Sequence, residues 1–107
     1  MKTAEILAEF LRGEELATIS QKQRDWLHHQ AKREGLLRTK PGYESVMMDD
    51  SYYNIYTAPG GHYRLERFYA IRFTGTAQTQ VCRHHDLDGI RQRGRQFQII
   101  KPATILK

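Results

Sequence analysis

A glycine-containing turn between two aromatic runs restricts the possible folds of this sequence more than any other feature. It lies within Ser51 to Phe73, SYYNIYTAPGGHYRLERFYAIRF. The turn segment, Ala58-Pro59-Gly60-Gly61, combines one residue of fixed φ with two glycines that tolerate positive φ. The flanking runs are rich in Tyr, Ile and Phe, as strands are. We therefore predict a long β-hairpin at 51–73 around which the rest of the chain is organised.

The second run of the hairpin predicts a sheet with one buried face. Alternate residues of a strand project to the same face, and one alternate set here is apolar except for Arg67. This set is Tyr63, Leu65, Arg67, Tyr69, Ile71 and Phe73. The other set, which includes Arg64 and Arg72, is predicted to face solvent. A bulge near Glu66 would exchange the two faces for the remainder of the strand.

Two helices are predicted before the hairpin. Thr3 is predicted to cap the first helix and Gly13 to end it. The apolar stripe of this helix is Ile6, Leu7, Phe10 and Leu11. Ser20 opens the second helix, where Gln23 completes a capping box, and Gly35 ends it. The predicted buried residues of the second helix are Trp26, Leu27 and Ala31.

The rest of the chain is predicted to consist mostly of short strands. These are 44–48, 77–83, 96–101 and, after the interruption at Pro102, 103–106. Residues 14–19 and 36–43 are predicted as connections, and 84–94 as irregular with one helical turn. We predict a single α+β domain over 1–107. A helical pair (1–35) packs on a five- to six-stranded, mostly antiparallel twisted sheet within 36–107.

Positive charge is concentrated in the C-terminal part of the chain. The net charge is +5, yet the charges of residues 1–35 balance. From His62 to Lys107, nine Lys and Arg residues stand against three acids, which gives this stretch +6. Seven of the nine are Arg, whose planar guanidinium binds phosphate and stacks on bases. Such a field attracts polyanions.

Arginines and tyrosines form a candidate nucleic-acid surface. Arg91, Arg93 and Arg95 alternate along the chain, and in an extended segment they form a row that fits a phosphate backbone. The surface is predicted to continue through Arg64, Arg67, Arg72 and Arg83, with Tyr52, Tyr56 and Tyr63 stacking on bases. The sequence therefore predicts a non-catalytic protein that binds DNA or RNA and uses no cofactor.

A protein-binding inhibitor or adaptor is the alternative function. Tyr, Trp and Arg dominate protein interfaces, and an exposed strand edge can pair with a partner or with a second copy, giving a homodimer. One example is a phage or mobile-element anti-defence factor that acts on a host nucleic-acid-guided nuclease complex. Salt separates the two functions, because phosphate binding weakens steeply as salt rises.

Metal and catalytic chemistry have weak signals in the sequence. Cys82, His84 and His85 are metal-binding residue types, but a zinc site needs further ligands, which only distant histidines offer. A metal-dependent nuclease that uses Glu66, Asp86 and Asp88 is the catalytic alternative. We expect no metal site and no enzyme.

The cellular setting is predicted from the single cysteine and the start of the chain. One cysteine excludes an internal disulfide. The opening MKTAEILAEFLRGEE carries acids where a signal peptide has an apolar run, and no stretch is long enough to span a membrane. We expect a cytoplasmic protein that makes no membrane contact.

Overall fold

One long strand is the centre of the fold in the computed structural model, which describes residues 1–101. The elements in chain order are α1 (Thr3–Leu11), β1 (Leu16–Ile19), α2 (Gln21–Arg33), β2 (Leu37–Lys40), β3 (Tyr43–Met47), β4 (Tyr52–Ala58), β5 (His62–Phe73), β6 (Thr79–Arg83), α3 (His84–Gln92) and β7 (Phe97–Ile100). Within residues 1–101, seven strands form one antiparallel sheet. The predicted α+β class is confirmed.

β5 holds the sheet together because it is paired on both sides along most of its length. Its first half lies between β1 and β4, since Leu65 pairs with both Ala17 and Ile55. Its second half lies between β6 and β7, and β3 and β2 continue the sheet beyond β4. β5, with 12 residues, therefore connects the two halves of the sheet. One half is formed with β1 and β4, and the other with β6 and β7.

The predicted hairpin is confirmed as β4 and β5. Ala58 pairs with His62, so Pro59, Gly60 and Gly61 form the turn. Gly60 and Gly61 have φ values of 85° and 78°. Side chains with a Cβ rarely adopt this conformation, so the turn depends on both glycines.

Three helices cover one face of the sheet, and a hydrophobic cluster lies beneath each half. The first cluster joins α1 and α2 to the first half of β5: Ile6, Leu7, Leu11, Ile19, Leu27, Ala31, Val46, Tyr53, Ile55 and Leu65. The second cluster lies under α3: Tyr69, Ile71, Cys82, Leu87 and Ile90. We call this the helix-covered face, and its β5 residues are the alternate set predicted to be buried. The opposite face carries His62, Arg64, Glu66, Phe68, Ala70 and Arg72 of β5. The prediction that this set faces solvent is wrong for Glu66 and Ala70, which are buried.

The start of α2 is confirmed, whereas the predicted cap of α1 is wrong. Ser20 Oγ accepts a hydrogen bond from the Gln23 N–H at 3.1 Å, and Gln23 Oε1 accepts one from the Ser20 N–H at 2.8 Å. In α1, Lys2 occupies the capping position and Thr3 is buried. The Thr3 N–H donates to Glu34 Oε2 at 2.7 Å, and its hydroxyl donates to the same oxygen. Thr3 therefore fixes the start of α1 to the end of α2.

Three other segments differ from the sequence prediction. β1 and β2 are strands where connections were predicted, and each has four residues, too few for an alternating pattern to be recognised. α3 is a helix where an irregular segment was predicted, and it buries Leu87 and Ile90 at helical spacing. The predicted interruption at Pro102 and strand at 103–106 lie outside the described residues.

The buried face of α2 differs from the prediction at one position. Leu27 and Ala31 are fully buried in the first cluster, as predicted, but Trp26 is 49% exposed. One residue along a helix is a rotation of about 100°, so Trp26 projects away from the sheet. Among residues 1–101, no helix is long and apolar enough to cross a membrane.

Candidate nucleic-acid interface

The arginines of β5 are divided between the two faces of the sheet. Arg64 and Arg72 project to the opposite face, and Arg83 joins them because it pairs in register with Phe68. Arg67 projects to the helix-covered face. Arg64, Arg72 and Arg83 therefore share one face, and the predicted surface does not include Arg67 with them.

Arg67 is used inside the protein, between the two hydrophobic clusters. Its guanidinium carbon lies 4.9 Å from the ring centroid of Tyr69 and 5.7 Å from that of Tyr53. Its Nε donates to Ser51 Oγ at 3.2 Å, and Nη2 lies 3.5 Å from Asp50 Oδ1. These contacts give Arg67 a structural role and leave it little freedom to bind a phosphate.

Two of the three tyrosines predicted to stack on bases are already in use. Tyr52 is 3% exposed and stacks on Phe68 with 5.7 Å between ring centroids, and burial raises its pKa. Tyr63 lies under α2, with the Arg24 guanidinium 5.4 Å from its ring. Tyr52 is therefore too buried to stack on a base, whereas Tyr63 is half-buried with Arg24 over its ring. Tyr56 is exposed on the opposite face, where a base can reach it.

The predicted extended row of arginines does not form. Arg91 lies in the last turn of α3, and Arg93 is the residue at which the helix ends. Gly94, with φ 74°, then turns the chain towards Arg95. The helical conformation removes the alternation, but Arg95 lines one depression with Arg93 and another with Arg91.

Two phenylalanines support these arginines. Phe73, the last residue of β5, pairs in register with Phe97, the first residue of β7, and their rings meet edge to face at 6.5 Å. The guanidinium carbon of Arg95 lies 3.7 Å from the Phe73 centroid, and that of Arg91 lies 5.5 Å from the Phe97 centroid. Each cation–π contact contributes about 0.5–1 kcal/mol where it is exposed, and the contact of Arg95 is the closer of the two. We call Phe73, Arg91, Arg93, Arg95 and Phe97 the β5-end patch.

Sequence reasoning did not select the two phenylalanines as site residues. The sequence pattern predicts Phe73 in the core and Phe97 in an ordinary strand. Their contact depends on the register between β5 and β7, which are far apart in the chain. The sequence does contain a signal for this contact, because an aromatic residue lies at a strand end both before and after the arginine segment.

Concave surfaces meet at the β5-end patch. A groove of about 590 Å³ runs between α3 and β6. Its charged lining residues are Arg93 and Arg95 and, on α3, Asp86 and Asp88. A shallower depression beside it is lined by Arg91, Arg95 and Phe97. Arg95 borders both, so a chain-like ligand that follows either surface passes its guanidinium.

The charges of the patch are only partly neutralised. In the patch, Arg91 lies 3.5 Å from Asp88. Outside the patch, on the opposite face of the sheet, Arg83 lies 3.7 Å from Glu66. Within residues 1–101, no carboxylate oxygen lies within 4.0 Å of Arg93 or Arg95. Two exposed cations of the patch therefore keep their full charge for a ligand.

The groups considered for metal or nuclease chemistry have local partners. Asp86 accepts a hydrogen bond from the Arg83 N–H at 3.1 Å, and Asp88 and Glu66 lie near arginines as described above. Burial raises the pKa of the Cys82 thiol to about 11, so the thiol is protonated at neutral pH. In the described part of the chain, no three His, Cys, Asp or Glu side chains are placed to hold a metal ion.

Known proteins give no guide to this surface. No family model matches the chain, and neither a curated protein nor a solved structure matches it. The interface is therefore defined by its own geometry and charge.

Proposed function

We propose that this protein binds nucleic acid, without catalysis, through the β5-end patch. The observation that carries the proposal is the position of Arg95. Its guanidinium is stacked on Phe73, its side chain is exposed, and no carboxylate of residues 1–101 neutralises it. Arg93, which is also exposed and without a carboxylate, lines the same groove.

The geometry of Arg95 suits both parts of a nucleotide. Its N–H groups can donate to phosphate oxygens, as Arg93 can, and this binding releases the counterions that surround a nucleic-acid backbone. A guanidinium held against a ring also offers its other plane to a base, because unpaired bases stack on arginine planes. The supporting phenylalanine reduces the entropy that the side chain loses on binding.

The proposed interface is smaller than the surface predicted from the sequence. It retains Arg91, Arg93 and Arg95, although they are not an extended row. Arg64, Arg72 and Arg83 lie on the opposite face with Tyr56 and are not part of the proposed interface.

Fluorescence anisotropy with labelled single- and double-stranded DNA and RNA, over a salt series, tests the proposal. We expect Arg93→Ala/Arg95→Ala to weaken binding by about tenfold or more at roughly 100 mM salt. We also expect a shallower salt slope, by about 0.7–0.9 for each phosphate contact removed. The double variant should stay folded, with a melting temperature lowered by at most about 4–8 °C, because Arg95 loses only its exposed contact with Phe73.

The matched control is Arg38→Ala/Lys40→Ala, which removes the same charge from exposed positions of β2. This variant should bind like the wild type. Equal binding by the arginine double variant and the wild type, or no binding by the wild type at about 50 mM salt, would overturn the proposal.

Protein binding is a second candidate, and it is favoured by the outer strands β6 and β7. Val81 and Ile99 are exposed at 45% and 37%. Within residues 1–101, β6 and β7 each pair only with β5, so their outer edges can accept a partner strand. Failure of nucleic-acid binding together with self-association in sedimentation experiments, lost in Val81→Lys, would support this candidate.

A further inference from the structure

Trp26 is the one tryptophan of the chain, and it has no part in the core. α2 is anchored to the sheet by Leu27 and Ala31, while the indole of Trp26 projects to solvent. Tryptophan is highly buried on average. A half-exposed indole on a well-formed helix therefore suggests a contact surface.

Trp26 lies in the middle of a row of exposed residues on α2. Lys22, Trp26, His29 and Arg33 follow the spacing i, i+4, i+7 and i+11, so they share one side of the helix. All four are exposed. The row is about 16 Å long at 1.5 Å per residue. We call it the α2 stripe.

The unpaired charges of α2 are positive, although its sequence is mixed in charge. Asp25 and Glu44 share Arg24, at 3.0 and 2.8 Å, and Glu44 also lies 2.6 Å from His28 Nδ1. Within residues 1–101, the charged side chains of α2 without an ionic partner are Lys22, Lys32 and Arg33. The stripe is therefore complementary to an anionic ligand.

We propose that the α2 stripe is a second contact for nucleic acid, in which Trp26 stacks on an unpaired base and Lys22 and Arg33 contact the flanking phosphates. The substrate class is single-stranded nucleic acid, because a duplex keeps its bases inside the stack, where no base face is offered to an indole. This inference rests on the proposed function and specifies its substrate.

The surroundings of Trp26 favour a base over a protein surface. The centre of a protein interface is apolar and closely packed, whereas the neighbours of Trp26 in the stripe are Lys22, His29 and Arg33. A base needs one ring face for stacking and a cation for each adjacent phosphate. The stripe supplies these groups.

The two contacts lie over different halves of the sheet. α2 covers the first half of β5, the β5-end patch lies at the end of its second half, and the longest dimension of the protein is 43 Å. A short strand occupies one contact at a time, whereas a long strand that reaches both gains affinity through effective concentration. A longer strand also offers more positions at which a single contact can bind. Affinity should rise with strand length by more than this statistical increase.

Intrinsic fluorescence tests the inference directly, because the single tryptophan lies in the proposed contact. Oligothymidylates of about 6 and about 30 nucleotides are titrated against the protein while tryptophan emission is followed. Anisotropy of the same strands, labelled, reports total binding. We expect emission to be quenched by the single strands and unchanged by a duplex. Trp26→Ala should weaken binding of the long single strand about tenfold and leave duplex binding unchanged.

A matched control is Tyr56→Ala, which removes an exposed aromatic ring from the opposite face and should bind like the wild type. No anisotropy change with any strand would overturn both this inference and the proposed function. Binding that depends on Arg93 and Arg95 but leaves the emission and the Trp26→Ala affinity unchanged would overturn this inference alone. Equal quenching by polyglutamate would make the stripe a protein-binding surface instead.

Discussion

Trp26 and Leu27 are consecutive residues of α2 with opposite environments, since Leu27 is fully buried and Trp26 is about half exposed. The rotation of about 100° between them directs Leu27 into the first hydrophobic cluster and Trp26 into the α2 stripe. One turn of helix therefore provides both an anchor to the sheet and the exposed indole of the proposed contact.

Substitution of these two neighbours should separate stability from binding. Leu27→Ala should reduce the free energy of unfolding by about 2–5 kcal/mol, because it leaves a cavity in a closed cluster. Trp26→Ala should reduce it by less than about 1 kcal/mol, as surface substitutions do. Urea unfolding followed by circular dichroism measures both values. Equal destabilisation would mean that the indole is part of the core.

Arg67→Ala should destabilise the protein without changing its affinity for nucleic acid. Loss of the contacts with Tyr53, Tyr69 and Ser51 should cost about 1–3 kcal/mol. Arg64→Ala is the control, because Arg64 is exposed on the opposite face of the same strand and should change stability little. A stable Arg67→Ala variant that loses binding would place Arg67 in the interface after all.

Cys82 should react slowly with thiol reagents in the folded protein. Burial raises its pKa to about 11, so about one thiol in a thousand is ionised at pH 8, and the thiolate is the reactive form. Alkylation by iodoacetamide at pH 8 should be at least about tenfold slower than in denaturant. Equal rates would show that β6 and α3 do not cover this side chain.

Acid should weaken the connection between the two N-terminal helices. Hydrogen bonds from Thr3 hold the pKa of Glu34 below its usual value of 4.5. Because the folded-state pKa is the lower one, this stabilisation is present above about pH 4.5 and is lost as the pH falls through the folded-state value. We expect the melting temperature of Glu34→Gln to fall less on acidification than that of the wild type. Parallel curves for the two proteins would contradict this.

Local chemistry was the part of the fold that the sequence predicted well. The turn at Gly60 and Gly61 and the capping box of Ser20 and Gln23 depend on residues a few positions apart, and the structure confirms both. The alternate set in β5 correctly identified the helix-covered face and the position of Arg67 on it, but Glu66 and Ala70 of the other set are buried as well. The strands β1 and β2 were too short to have a recognisable pattern.

The candidate site was less predictable because it depends on long-range packing. The Phe73–Phe97 contact requires the register of β7 against β5. The exposure of Trp26 depends on which side of α2 meets the sheet, and an apolar pair such as Trp26-Leu27 fits either orientation. The helical conformation of α3 decided that Arg91, Arg93 and Arg95 form a cluster rather than a row.

The shared strand β5 has a consequence for cooperativity, because it belongs to two clusters of unequal size. Among residues 1–101, ten buried residues form the first cluster and five form the second. Regions with fewer buried contacts open with a smaller free energy. Amide protons of β6 and β7 should therefore exchange with solvent earlier than those of β4, and a bound strand at the β5-end patch should slow that exchange. The proposed ligand thus binds beside the smaller cluster, where we expect the lower free energy of local opening. Binding there should suppress local opening more than binding elsewhere would.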